Sequence, residues 1–387
     1  MGAGPYGVIA LILAVSVGMY FQYIAPFIDA VNVFRLPHPL NNFSSCSTVP
    51  ELQACEKIVL HQPSGKLFLA CSTPEGRRHW IPATSQLNST YRSNEDYVAI
   101  YDPPTKQVTR LTLDKFDTTR GLSVHGMDVV PSASNPKELF VYMVNHRVPL
   151  NGHAKDVGAD SVIEIFKTTL ASGKLTHLKT VEDPAIITPN DVTGFPDGKG
   201  FYFTNDHGEK VQWLRDYRSF VRHGSSVGYC HVDEGCKLVS KNMLSNNGIT
   251  QAQNGTIYVA STLGKALRVF ERQEDNSIVL MDVIPCEAPL DNIAVDNDGV
   301  VWAAGFPNGY AIINHMKNPS ARSPSGAWKF GINTGPSSFY GEKFKVEKAF
   351  EDNGEVASGS TSAVHDAQRG LVFLHGIAAP WLTVCKV

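Results

Sequence analysis

Six times along the chain, a turn with Gly or a polar residue opens into a short run of β-branched and aromatic residues. The runs are SGKLFLACS (64–72), PKELFVYMVN (136–145), DGKGFYFTN (197–205), NGTIYVAST (254–262), DGVVWAAGF (298–306) and RGLVFLHG (369–376). Each reads as a turn followed by a strand. Their turn residues lie between 44 and 72 residues apart, which leaves room for several strands per copy. That period predicts propeller blades, whose radial repetition leaves few sheet edges exposed. No heptad or long amphipathic helical stretch competes. The expectation is an all-β, six-bladed β-propeller over residues 41–387, one domain despite its length.

The segment ahead of it has a different pattern. Residues 8–28, VIALILAVSVGMYFQYIAPFI, hold no charge, and about 20 apolar residues span a bilayer as a helix. An N-terminal hydrophobic helix and a connecting segment are expected over residues 1–40. No small-x-small site closes the run, so a retained signal anchor in a membrane or lipid surface is favoured over a cleaved signal peptide. Arg35 is the first basic residue, so charge does not set an orientation. Sequons at Asn42, Asn88 and Asn254 follow this leader. They point to a glycoprotein of the secretory pathway, either anchored and lumenal or extracellular, or secreted.

Composition narrows the partners. Lys+Arg number 34 against 37 Asp+Glu, a net charge of -3, which gives no basic surface for nucleic acid. Seven cysteines leave at least one unpaired in a monomer, and none has zinc-ligand spacing. Cys230 and Cys236 flank HVDEG, where they would close a hairpin. Cys46 and Cys385 lie near the two ends of the propeller, where a bridge would clasp the ring. Buried, reduced cysteines are the alternative.

The polar residues share a register. Glu56 lies nine residues before Gly65, Asn190 eight before Gly198, and Asn247 eight before Gly255. Asn292, beside Asp291, lies seven before Gly299. Equivalent positions on innermost strands converge on a propeller's channel, so these side chains would form a ring of oxygens. Two carboxylates neutralise a dication, and Ca²⁺ takes 6–8 oxygen ligands from carboxylates, amides and water. The absence of Cys and His from the ring argues against zinc. Taken singly, each Asn or Asp is more simply a turn or strand cap; the shared register favours the metal.

The segments His125-Gly126-Met127, Asn145-His146, Pro189-Asn190-Asp191, Thr204-Asn205-Asp206-His207, Asn247-Gly248-Ile249, Leu290-Asp291-Asn292-Ile293 and Pro307-Asn308-Gly309 together resemble the paraoxonase/arylesterase family of calcium-dependent lactonases and esterases. They occur in that family's order and cover nearly all of the chain after the leader. The resemblance implies a six-bladed propeller, a retained hydrophobic N-terminus and a Cys46–Cys385 disulfide. It also implies a catalytic Ca²⁺ held by Glu56, Asn190, Asn247, Asp291 and Asn292, and a histidine dyad of His125 and His146. A second, structural Ca²⁺ would use Asp191 and the Met127 carbonyl. Two positions depart from the pattern. Lys57 stands where the family has an aspartate ligand of the second ion, which puts that ion in doubt, and Phe306 replaces a pocket-wall histidine.

The implied activity is hydrolysis of an ester, above all a lactone ring. A cation would polarise the carbonyl, and His125 would deprotonate water with His146 relaying or orienting the proton. Asp291 is the competing base or nucleophile. No Walker motif or dinucleotide fingerprint is present. Two non-enzymatic or metal-free readings stand beside this one. The first is a calcium-stabilised propeller that binds a partner on its top face. The second is a strictosidine-synthase-like propeller without metal.

Overall fold

The computed structural model describes residues 4–387 apart from 42 and 44. Six four-stranded antiparallel blades surround a channel. The innermost strands are, in order, Cys55–His61, Val124–Pro131, Pro189–Gly194, Asn246–Gln251, Leu290–Val295 and Ser362–Asp366. These define blades 1 to 6. Each repeated apolar run supplies the second strand of its blade, such as Lys66–Cys71 in blade 1 and Leu371–His375 in blade 6. Blade 2 gains a parallel strand, Thr112–Asp114, and blade 5 gains Leu40–Asn41 at its outer edge.

Blade 6 is built from both ends of the propeller. Its outer strand, Ser45–Val49, pairs with Leu382–Lys386, and Cys46 faces Cys385 directly in that register. A disulfide joins the two, so the ring closes by hydrogen bonds and a covalent clasp at one point. Cys230–Cys236 closes the blade 3 hairpin. A third disulfide, Cys55–Cys71, ties the first two strands of blade 1 and had no signal in the sequence. Cys286 is free.

The core is six inter-blade layers rather than one centre. Phe68 and Ile100 of blade 1 pack with Val141 and Phe166 of blade 2. Val192, Phe201 and Phe203 of blade 3 pack with Tyr142 and Ile163 of blade 2. Alternate positions of each second strand face opposite neighbouring blades, as the two-residue period of a strand requires. Both faces are buried, which is why these runs read as nearly continuous apolar stretches.

The residues before the propeller form a helix over Pro5–Ala30 of mean hydropathy 2.0, none of it buried against the propeller in its most apolar stretch. Its base is fastened to blades 4 and 5. Lys265 pairs with Asp29 at 3.0 Å, and Arg35 makes a two-pronged bond to Glu351 at 2.7 and 2.8 Å. Short helices, unmarked by the strand-and-turn pattern of the chain, occupy Gly309–Lys317 and Arg215–Arg222. Asn308 caps the former by accepting from the Ala311 amide. The Asn308 amide also donates to the Val33 and Arg35 carbonyls, and the Gly309 amide donates to Val31. A Cβ on Gly309 would lie 2.3 Å from the Val31 oxygen. The Pro307-Asn308-Gly309 motif therefore docks the N-terminal segment.

Candidate active site

Five of the six inner strands carry a β-bulge at the same height. The register slips between Cys55 and Lys57, Val124 and Met127, Pro189 and Val192, Asn246 and Ile249, and Leu290 and Ile293. A bulge adds one residue to its strand and re-aims side chains. Here it turns two consecutive residues of each strand toward the channel. The first residues are Glu56, His125, Asn190, Asn247 and Asp291, and Thr361 completes the circle from blade 6. All six line the floor of a cavity of about 350 Å³.

The second residues alternate. Blades 1, 3 and 5 present Lys57, Asp191 and Asn292, whereas blades 2 and 4 present Gly126 and Gly248. A Cβ at Gly126 would lie 2.4 Å from the Asn190 oxygen and from Asp191 Cα, and one at Gly248 would lie 2.7 Å from Asn292 Cα. Only glycine lets the inner strands approach this closely, which explains the HGM and NGI motifs.

In the upper ring three oxygens lack partners. Glu56 Oε2, Asn190 Oδ1 and Asn247 Oδ1 are buried with no hydrogen bond. The amide ends of these groups are occupied instead: Asn247 donates to Thr262 Oγ1 at 3.2 Å, and Asn190 Nδ2 lies 3.4 Å from His125 Nε2. Amide nitrogens turned to the walls leave oxygens facing inward. Burial raises the pKa of Glu56 in spite of Lys57 and Asn292 nearby. Asp291 is pushed well above the carboxylate range by burial and by the Glu56 charge. Orphaned oxygens beside two destabilised carboxylates are a donor set that fits a cation. Among the described residues there is no group of three His, Cys, Asp or Glu able to hold a metal, so the donor set is of amide and carboxylate oxygen.

Below it, Lys57 Nζ donates to Asp191 Oδ2 at 2.5 Å and to Asn292 Oδ1 at 3.3 Å. The Ile249 amide also donates to Asp191 Oδ2, at 2.9 Å. The Asn292 amide turns up to the Glu56 carboxylate. Asn292 is thus engaged by Glu56 and Lys57, and it sits in the lower tier rather than in the ring with the other four expected ligands. The expected second site at Asp191 and Met127 meets an ammonium already in contact with Asp191.

His125 lines the cavity and His146 stands behind it, on the second strand of blade 2; their rings are 5.1 Å apart and edge-to-face. Ser161 Oγ holds His146 Nδ1 at 2.8 Å. Burial lowers the His125 pKa to about 3, helped by the Arg77 charge, and Asp206 pulls the other way. Burial also lowers that of His146 well below its ordinary value. Both imidazoles are neutral at pH 7. Asp206, held to His207 Nδ1 at 2.7 Å, is kept ionised, with a pKa lowered to about 2. His207 lines the cavity as well.

Several polar residues of the motifs serve the scaffold. Thr204 Oγ1 accepts from the Asp191 amide and donates to the Asn247 carbonyl, joining the bulges of blades 3 and 4. Asn145 and Asn205 brace loops. Arg77, fully buried near Glu56 and Asp96, escaped the sequence reading because nothing local marks it. The apolar wall of the cavity comes from Phe306, Ile312 and Met316 of blade 5 and its helix, and from Phe27 and Val31 of the N-terminal segment. Asn254 is exposed in a turn and Asn88 half-buried, whereas Asn42 lies outside the described residues.

Serum paraoxonase/arylesterase 2 of Homo sapiens is 28% identical over 238 residues, 60% of this chain and 62% of its own length. Serum paraoxonase/lactonase 3 of Homo sapiens is 24% identical over 356 residues, 91% of this chain and 92% of its own. A solved luciferin-regenerating enzyme superposes with a TM-score of 0.52 at 13% identity, covering 89% of this chain and 95% of its own, a likeness of fold alone. The Arylesterase profile matches residues 100–378, well over half of the chain, and the protein belongs to the arylesterase family.

Proposed function

We propose that the protein is a calcium-dependent hydrolase of carboxylic esters, with lactones and aryl esters as its substrates. The observation that carries this reading is the ring of buried, partnerless oxygens at the floor of an apolar cavity. Glu56, Asn190, Asn247 and Asp291 would hold the ion, with Asn292 orienting Glu56 from below. Calcium bound there would supply the positive charge that polarises an ester carbonyl. The chain's own residues supply the remainder. The apolar wall formed by Phe27, Val31, Phe306, Ile312 and Met316 takes the alkyl or aryl part of the substrate and excludes bulk water. His125, neutral and facing the cavity, accepts a proton from the attacking water. His146 orients it, and the ionised Asp206 offsets the charge that develops on the imidazole pair.

The apolar helix over Pro5–Ala30 is proposed as a retained membrane or lipid anchor, and three disulfides fit an oxidising, secretory compartment. The test is hydrolysis of aliphatic lactones and phenyl acetate with and without EGTA, followed by calcium re-addition. Loss with EGTA and recovery with calcium are expected. Activity indifferent to EGTA in a sample that elemental analysis shows to be metal-free would refute the metal mechanism. A folded, calcium-loaded protein that is stabilised by the ion but inert across the panel would favour the partner-binding propeller.

A further inference from the structure

The waist of the channel, beneath the upper ring, contains a positive charge of the chain's own. Lys57, Asp191 and Asn292 come from alternate blades and meet on the channel axis, because the two intervening bulges carry glycine. The Lys57 side chain is buried, and Asp191 is wholly so. Their contact closes the passage between the main cavity above and a smaller one of about 130 Å³ below, which Lys57 lines together with Met127 and Asp128.

Formal charge decides how many metal ions this channel accepts. Glu56, Asp191 and Asp291 bring three negative charges and Lys57 one positive, which leaves two negative charges. That balance is for the ring and the waist alone. Arg77 faces Asp96 as well as Glu56. Asp128 is satisfied by Thr193 Oγ1 and the Gly194 and Val129 amides. One dication brings the ring and waist to neutrality, and a second would leave a net positive charge there, in a place with little water to screen it.

We propose that the Lys57 ammonium is a built-in cation that fills the waist of the channel, so that the protein holds one divalent ion, in the upper ring. This inference rests on the calcium reading above. It makes the junction of blades 1, 3 and 5 independent of a second ion, and chelation then empties only the upper ring.

The test is the calcium content of the full-length, detergent-solubilised protein after calcium loading and desalting, read by elemental analysis beside its thermal midpoint in EGTA. One calcium per chain is expected for the wild type. Lys57→Asp adds two negative charges to the channel and should raise the count to two. Lys57→Met keeps the side chain's length and removes its charge; in EGTA it should lower the midpoint by about 5 °C, because Asp191 is left buried and unpaired. Two ions per chain in the wild type would overturn the inference and leave the calcium reading intact. A count of one in folded Lys57→Asp, or an unchanged midpoint in Lys57→Met, would also overturn the inference alone. No calcium in the wild type would overturn both. The wild-type count needs no variant, so the inference stays testable even if both substitutions prevent folding.

Discussion

Cutting the Cys46–Cys385 clasp should cost more than cutting any other disulfide of this protein. The three bridges span sequence separations of 339, 16 and 6 residues for Cys46–Cys385, Cys55–Cys71 and Cys230–Cys236. If a crosslink acts by restricting the unfolded chain, the loop-entropy relation gives about 6, 3 and 2 kcal/mol in that order. A propeller of roughly 350 residues unfolds with an entropy near 0.7 kcal/mol/K. The paired Cys→Ala variants should therefore lose about 8, 4 and 3 °C of thermal midpoint. The folded state works in the same direction for the first bridge. Ser45–Val49 is the outer strand of blade 6 and, among the described residues, has no other partner strand than Leu382–Lys386, so its release reopens the ring. The assay is differential scanning calorimetry of the three double variants at one calcium concentration. A Cys46/Cys385 variant that melts within a degree of the wild type, or above the Cys230/Cys236 variant, would refute the reasoning, because the hydrogen-bonded strand pair would then close the ring unaided.

Further outcomes follow from the site. Asn247→Ala and Asp291→Ala should each cut kcat at least about 100-fold while circular dichroism and the fold are kept; full activity in either would remove these residues from the site. Calcium should stabilise the protein more at pH 8 than at pH 5. Burial raises the pKa of Glu56 and Asp291 in the metal-free fold, so their contribution to stability is present below about pH 4 and lost as pH rises toward the raised values. The midpoint gap between calcium and EGTA must then widen with pH, and a flat gap would contradict the two-carboxylate site. The His125 pKa is lowered to about 3, so kcat/KM should show no ionisation near pH 6.5; a limb there that vanishes in His125→Gln would refute a buried, neutral His125. Burial pushes the Cys286 thiol up to about 11, so iodoacetamide should modify it slowly at pH 8, and rapid labelling by mass spectrometry would contradict its placement.

The number of blades is legible along the chain, because each second strand is buried on both faces and shows as an apolar run after a turn. The same spacing marked Glu56, Asn190 and Asn247, and the Asp291-Asn292 pair without choosing between its members, because in blades 1, 3, 4 and 5 the distance from bulge to turn is nearly constant. His125 holds the same ring position in blade 2, yet that register could not show it. The connection from Pro131 to Leu139 is longer than its counterparts, and the spacing from ring residue to turn is stretched. For His125 the signal was the family motif alone. The Cys55–Cys71 bridge, the burial of Arg77 and the docking of the N-terminal segment on Asn308 and Gly309 left no local trace, since each joins residues distant along the chain or side by side only in the folded sheet.

The division of the polar residues into two tiers arises only in the folded ring. Asp291 and Asn292 are neighbours in sequence, as are Glu56 and Lys57, and nothing along the chain says which faces the upper ring. The bulges decide it by turning successive side chains to different heights. The glycines of blades 2 and 4 decide which three side chains reach the axis below, because a Cβ there would collide with the next strand. The contact between Lys57 and Asp191, 134 residues apart in sequence, exists only because six strands converge on one axis, and with it the charge that sets what the channel can hold.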